Sequence, residues 1–144
     1  PSDTENLFKE TVGFSTETPS ITIEELDRMD DRSFEQWVLN RARQCGYQAD
    51  GTKASWDFGA DGIIVHKETG KKFILQCKHS SGDKISQDKV IYDLLRARAA
   101  YDAEGNADLI ALTNSVFSPS LIRRLEHMGI LCFDRKKIVN WRRI

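Results

Sequence analysis

Two short apolar runs flank a single turn near the middle of this chain, and that arrangement restricts the fold more than any other feature. Residues 62–66 (Gly-Ile-Ile-Val-His) and 72–79 (Lys-Phe-Ile-Leu-Gln-Cys-Lys-His) have the length and composition of strands. Between them, Lys67-Glu68-Thr69-Gly70-Lys71 supplies a turn, with glycine where a positive φ is tolerated. The segment therefore reads as a β-hairpin, and one face of it must be covered by helices.

The flanking sequence provides those helices. Ser33 followed by Gln36 reads as a capping box. Phe34, Trp37, Val38, Arg41, Ala42 and Cys45 recur at helical spacing until Gly46 ends the run, which predicts a helix over 33–45. Residues 47–49 read as a short strand, 21–24 as another, and 26–30 as a helical turn. Downstream, 86–103 predicts a long helix with Val90, Leu94, Ala97 and Tyr101 on one face. Residues 107–113 suit a buried strand, and Ser118-Pro119 opens a helix running to about 128. Residues 130–133 form a last short strand, followed by a basic tail over 135–144. This order predicts an α/β three-layer sandwich, a central mixed β-sheet flanked by helices.

Length and charge narrow the organisation. The chain has 144 residues, which suits one domain with a real core. Residues 1–35 carry 10 acids and 3 bases, a net of −7, whereas 36–144 carry 12 acids and 18 bases, a net of +6. The expected division is an acidic, weakly structured leader or linker over 1–30 and a folded domain over 31–144. A basic body suits a polyanionic ligand, although a solvated surface explains the same charges. Cys45, Cys77 and Cys132 are odd in number and form no CxxC pair, so free thiols and a cytoplasmic location are expected. No apolar run approaches the ~20 residues of a membrane span.

The chemistry gathers on the hairpin. Antiparallel pairing about Thr69 and Gly70 puts Asp61 opposite roughly Gln76 to Lys78. Gln76 and Lys78 are two apart and share a strand face, while Phe73, Leu75 and Cys77 point the other way. A carboxylate, an amide and an ammonium thus converge, a set suited to phosphodiester hydrolysis. A hard divalent ion needs oxygen ligands, available from Asp61, the Gln76 amide and the backbone carbonyl of Cys77. A nearby lysine can orient water or stabilise charge on the phosphate. With so few acidic ligands, Mg²⁺ that keeps its waters is the expected ion, and Mn²⁺ can replace it. Glu35 shares a helical stripe with Val38, Leu39 and Ala42. It either reaches this site or serves as an acid in the first helical turn.

These residues resemble a family. Asp57-Phe58-Gly59-Ala60-Asp61-Gly62-Ile63-Ile64, followed by Phe73-Ile74-Leu75-Gln76-Cys77-Lys78-His79, is similar to the Mrr-like restriction endonucleases. These belong to the PD-(D/E)xK nuclease superfamily, in the branch where Gln replaces the second acid. Phe34-Glu35, Cys45-Gly46-Tyr47, the strand from Leu109 to Thr113, Phe117-Ser118 and Gly129-Ile130 follow the same layout, so the resemblance spans about 33–138. Phe58 and Ala60 depart from it, standing where glycine and an aliphatic residue are commoner. The resemblance implies a metal-dependent DNA endonuclease domain with Glu35, Asp61, Gln76 and Lys78 at the active-site positions. It further implies double-stranded DNA as substrate, a role in restriction of foreign DNA, fusion to other domains and cutting as a homodimer.

Lys84, Gln87 and Lys89, at the start of the long helix, are candidate DNA contacts. Asp57 either assists the site or caps its turn. His79 reads as a strand-end or phosphate-contacting residue, and His66 and His127 as surface. Arg96 and Arg98 are either backbone contacts or solvated charges. Trp141 either stacks on a base or packs the tail. Two further classes stay open beside the nuclease: a catalytically silent DNA-binding module with the nuclease fold, and an interaction domain of a larger protein.

Overall fold

The computed structural model describes residues 21–51, 61–102 and 104–141. The leader over 1–20, the approach containing Asp57 and the end of the tail lie outside the described residues. Within them the chain runs α1 (Ile23–Arg28), α2 (Asp31–Gln44), β1 (Tyr47–Gly51), β2 (Gly62–His66), β3 (Lys72–Lys78), α3 (Lys89–Tyr101), β4 (Asp108–Thr113), α4 (Pro119–His127), β5 (Leu131–Phe133) and α5 (Arg135–Val139). The five strands form one sheet in chain order. The β1–β2 and β2–β3 pairs are antiparallel, and the β3–β4 and β4–β5 pairs are parallel. This is the expected α/β sandwich with a mixed sheet.

The alternation of β3 separates two core layers. Phe73, Leu75 and Cys77 pack with Leu26, Phe34, Val38 and Ile138 on one face. Ile74 packs with Val90, Leu94, Ala97, Leu121 and Leu125 on the other. Helices α1, α2 and α5 thus cover one side, and α3 and α4 the other. Consecutive parallel strands joined by crossovers of one hand place their helices on the same face, which accounts for α3 and α4 sharing a side.

Several boundaries differ from the sequence reading for local reasons. The start of α2 is set by Asp30, whose carboxylate accepts the Ser33 N–H at 2.7 Å, and not by a Ser33–Gln36 capping box. Residues 23–28, read as part strand and part turn, form a helix capped by Thr22. Its Leu26 is fully buried, so packed structure reaches into the stretch assigned to the leader. Helix α3 begins at Lys89 and not near 86, because the Asp88 carboxylate is held by Arg124 Nε at 2.6 Å and Ile85 pairs with Phe117. The tail contains a short helix, α5, capped by Asp134. Trp141 is buried against Phe133, and its carbonyl accepts from Arg41, so it packs the tail. His66, expected at the surface, is half-buried; its Nδ1 accepts the Glu68 and Thr69 N–H groups and organises the hairpin turn.

Two tests follow. A Cβ at Gly62 would lie 2.6 Å from Leu39 Cδ2, inside the contact between α2 and β2. Gly62→Ala should therefore cost about 1–3 kcal/mol through overpacking, read from urea unfolding; unchanged stability would mean that Leu39 swings clear at no cost. The Asp102 carboxylate accepts the Ala107 N–H at 2.7 Å and the Asn106 N–H at 3.0 Å, closing the turn from α3 to β4. Those backbone bonds hold its pKa below the ordinary 3.8. A lowered carboxylate contributes stability above its unfolded pKa that is lost as pH falls through the folded value. Asp102→Asn should accordingly flatten the decline of melting temperature below about pH 4, and a decline as steep as the wild type would refute that role.

Candidate active site

Strand β2 ends while β3 continues, and the site occupies the step so formed. Gly62 pairs with Leu75, and the Asp61 N–H donates to the Leu75 carbonyl at 2.8 Å, so Asp61 stands beside Gln76. One more hydrogen bond fixes the acid: the Cys77 N–H donates to Asp61 Oδ2 at 2.6 Å. On an extended strand, the N–H and C=O of one residue project to the same edge. The Cys77 carbonyl therefore opens toward the Asp61 side, past the last pairing of β2.

Glu35, Asp61, Gln76, Cys77 and Lys78 line one cleft of about 190 Å³, with Asp31, Phe34 and His79 completing its walls. Helix α2 brings in Glu35. Because α2 begins at Asp31, Glu35 lies beyond the first turn, and the first-turn reading of its charge does not apply. Val38, Leu39 and Ala42 of the same stripe are buried, which holds the carboxylate over the end of β3. The Cys77 thiol lies beneath. Burial pushes its pKa well above 9.0, and the Asp61 and Glu35 carboxylates add to that, so the thiol stays protonated and is no nucleophile here.

Gln76 is the informative side chain. It is 6% exposed, and its Oε1 is buried with no hydrogen-bond partner among the described residues. A buried acceptor left unmade costs about 1–3 kcal/mol. Protein interiors seldom retain such a group without a use for it. A hard cation fits the observation, since the carboxylate, amide and carbonyl oxygens that line the cleft are the donors such ions take. No group of three or more His, Cys, Asp or Glu suited to a metal occurs among the described residues.

Lys78 reaches away from α2 toward α3. Its Nζ lies 3.2 Å from Asp93 Oδ2, and its side chain is 24% exposed. Asp93 was not legible as a functional residue, yet a signal existed: it falls on the Val90, Leu94, Ala97 stripe, an acid on a core-facing helical face. Lys84, Gln87 and Lys89 line an adjoining groove of about 340 Å³ that shares Lys78 and His79 with the cleft. Lys89 and Arg96 are both paired with Asp93. The structure thus brings the five cleft residues together and sets the three candidate DNA contacts next to them.

His79 directly follows β3, the strand-end place expected of it. Its Nε2 lies 2.8 Å from the Leu26 carbonyl, its ring packs on Phe34, and its side chain is 8% exposed. It ties β3 to α1 and lines both the cleft and the adjoining groove. Arg98 is half-buried in the last turn of α3, and His127 is exposed. The three cysteines are free thiols.

If Gln76 is kept for its oxygen, replacing that oxygen should help the fold. Gln76→Met is expected to raise stability by about 1–3 kcal/mol, measured by chemical unfolding. A loss of stability would mean that the amide is satisfied in solution.

Comparison with known proteins agrees with this geometry. A family model described as restriction endonuclease matches residues 26–142. No curated protein matches the chain. Among solved structures, "MspJI Restriction Endonuclease in Complex with 27-mer Oligonucleotide" is similar in fold, with a TM-score of 0.52 at 13% sequence identity. The similarity covers 96% of this chain and 31% of that one, so the chain spans about a third of its length.

Proposed function

The chain belongs to the Mrr-like restriction endonuclease family, and from that premise we propose that it is a metal-dependent endonuclease domain acting on double-stranded DNA. The observation that carries the reading is the unpartnered Gln76 Oε1, buried in a cleft that also holds Asp61, Glu35 and Lys78. Asp61, Gln76 Oε1 and the Cys77 carbonyl are the ligands of a divalent cation, with Mg²⁺ as the preferred ion and Mn²⁺ able to replace it. The bound ion would neutralise phosphate charge and make a water more acidic.

The protein groups then divide the remaining work. Glu35 approaches from α2, opposite the sheet, where a carboxylate can accept a proton or orient water. Lys78 offers an ammonium to the oxygens on which charge accumulates as water adds to phosphorus and one P–O ester bond breaks. Lys84, Gln87 and Lys89 hold the DNA backbone through contacts that supply affinity and carry no sequence information. The length of the MspJI chain supports a setting in which such a domain works beside other domains of a longer protein. A role against foreign DNA, cutting as a homodimer and a cytoplasmic setting complete the proposal; the free thiols support the last. No helix among the described residues is long and apolar enough to cross a membrane.

One observation favours a second reading, a silent DNA-binding module. Of the three carboxylates that line the cleft, Asp31 is 84% exposed and stands 3.8 Å from His79 Nδ1, which leaves Asp61 and Glu35 for an ion. Supercoiled plasmid, methylated and unmethylated, incubated with Mg²⁺, Mn²⁺ or EDTA decides between them. Nicking that needs the ion, and falls about 10²–10³-fold in Lys78→Ala at unchanged melting temperature, is the expected result. Salt-sensitive DNA binding without product from folded wild-type protein would favour the silent module.

A further inference from the structure

The nuclease reading uses Lys78 but leaves unexplained the group that Lys78 touches. Asp93 lies on the buried face of α3, is 5% exposed and makes ion pairs to three cations. Its Oδ2 takes Lys78 at 3.2 Å and Lys89 at 2.8 Å, and its Oδ1 takes Arg96 at 3.3 Å. Lys89 and Arg96 belong to α3 itself, at i−4 and i+3, where helix neighbours meet without tertiary structure. Lys78 comes from β3, so this pair forms only when helix and sheet are packed.

We propose that Asp93 is the positioning residue for Lys78, fixing the ammonium at the cleft while leaving the surrounding cations in excess for the DNA backbone. This inference rests on the nuclease reading above.

Three physical points support it. First, stability does not explain an acid here. An apolar residue of similar volume on a core-facing stripe is often as stabilising as a buried ion pair, or more so. The i,i+4 pair with Lys89, whose own side chain is 66% exposed, is of a kind that adds only about 0.3–0.5 kcal/mol on a helix surface. Second, a lysine has a flexible four-carbon stem, and fixing it costs up to ~2 kcal/mol of side-chain entropy. A carboxylate already set by α3 packing removes most of that cost before DNA arrives. Third, one carboxylate facing three cations leaves the cluster with net positive charge. Asp93 therefore orients Lys78 without neutralising the groove that Lys84, Gln87 and Lys89 line. Lys89 and Arg96 are 66% and 58% exposed, against 24% for Lys78, so they are the partners that a phosphate can draw away.

The test separates this role from a structural one and from failure of the nuclease reading. Wild type, Asp93→Asn and Asp93→Glu are compared for single-turnover plasmid nicking with Mg²⁺, for affinity to a DNA duplex in EDTA at several salt concentrations, and for melting temperature. Asp93→Asn should nick ~10–100-fold more slowly, the scale on which a displaced group lowers rate. Its DNA affinity should be equal to wild type or tighter, with a steeper salt dependence, because Lys89 and Arg96 are freed. Asp93→Glu keeps the charge but moves the carboxylate, and its rate should fall between the two at wild-type affinity. Should Asp93→Asn not fold, Asp93→Glu decides alone, and nicking at the wild-type rate overturns the inference. So does wild-type nicking by folded Asp93→Asn, or parallel loss of nicking, affinity and melting temperature. A folded but inert wild type would overturn the nuclease reading and this inference with it.

Discussion

Strand β3 lies between antiparallel β2 and parallel β4, and the rest of the structure depends on that double pairing. Residues 73–77 are buried, so the strand must satisfy every backbone group through its neighbours and fill both core layers with alternate side chains. Among the described residues, the pairing of β3 with β2 runs no further than Gly62 and Leu75, while that with β4 continues to Lys78. Asp61 covers the first exposed amide, that of Cys77, with its own carboxylate. The acid therefore closes the ladder and occupies the cleft at once, and its position is set by backbone geometry more than by side-chain packing.

The polar end of β3 also shows how much unfavourable placement a functional edge retains. Gln76 and Asp93 both stand at positions that an apolar residue would fill with less desolvation. Burial raises the pKa of the Asp93 carboxyl, and the hydrogen bonds from Lys89 and Lys78 more than offset this, so it is held below the ordinary 3.8 and ionised. Gln76 Oε1 has no such compensation among the described residues. A neutral amide is the tolerable choice there: a third carboxylate beside Asp61 and Glu35 would add like-charge repulsion whenever the cleft holds no cation.

Much of this was legible in the sequence, and the failures have physical causes. The hairpin was readable because the turn, the strand lengths and the alternation agree. Asp61, Gln76, Cys77 and Lys78 could be placed in one neighbourhood because strand period and hairpin pairing are local rules, whereas the helical stripe left Glu35 open between the site and the first turn, and the family resemblance put it at the site. Helix starts were less legible: Ser33 and Asp30 are both good caps, and only the backbone path shows which carboxylate meets the Ser33 N–H. Asp88 looks like an ordinary cap until Arg124, on another helix, claims it. Asp93 was missed because helical periodicity sorts residues by polarity, and an acid on an apolar stripe reads as noise until its strand partner is known. His79 is legible as the residue that follows the strand, but its bond to the Leu26 carbonyl is not, because α1 lies in a stretch that reads as part strand and part turn.

The step between β2 and β3 has a consequence for how far along the chain the cluster is drawn from. Asp61, Gln76 and Lys78 meet across a short turn, where loop closure is cheap and isolated hairpins form on the order of microseconds. Asp93 joins from α3, the helix that directly follows β3, and lies 15 residues from Lys78, much as Asp61 lies 16 from Cys77. Glu35 arrives with α2, which docks on the opposite layer. The acid, the amide, the lysine and its carboxylate partner thus come from neighbouring stretches of chain, and Glu35 is brought from a distant one, by the layer that α2 lays over the sheet.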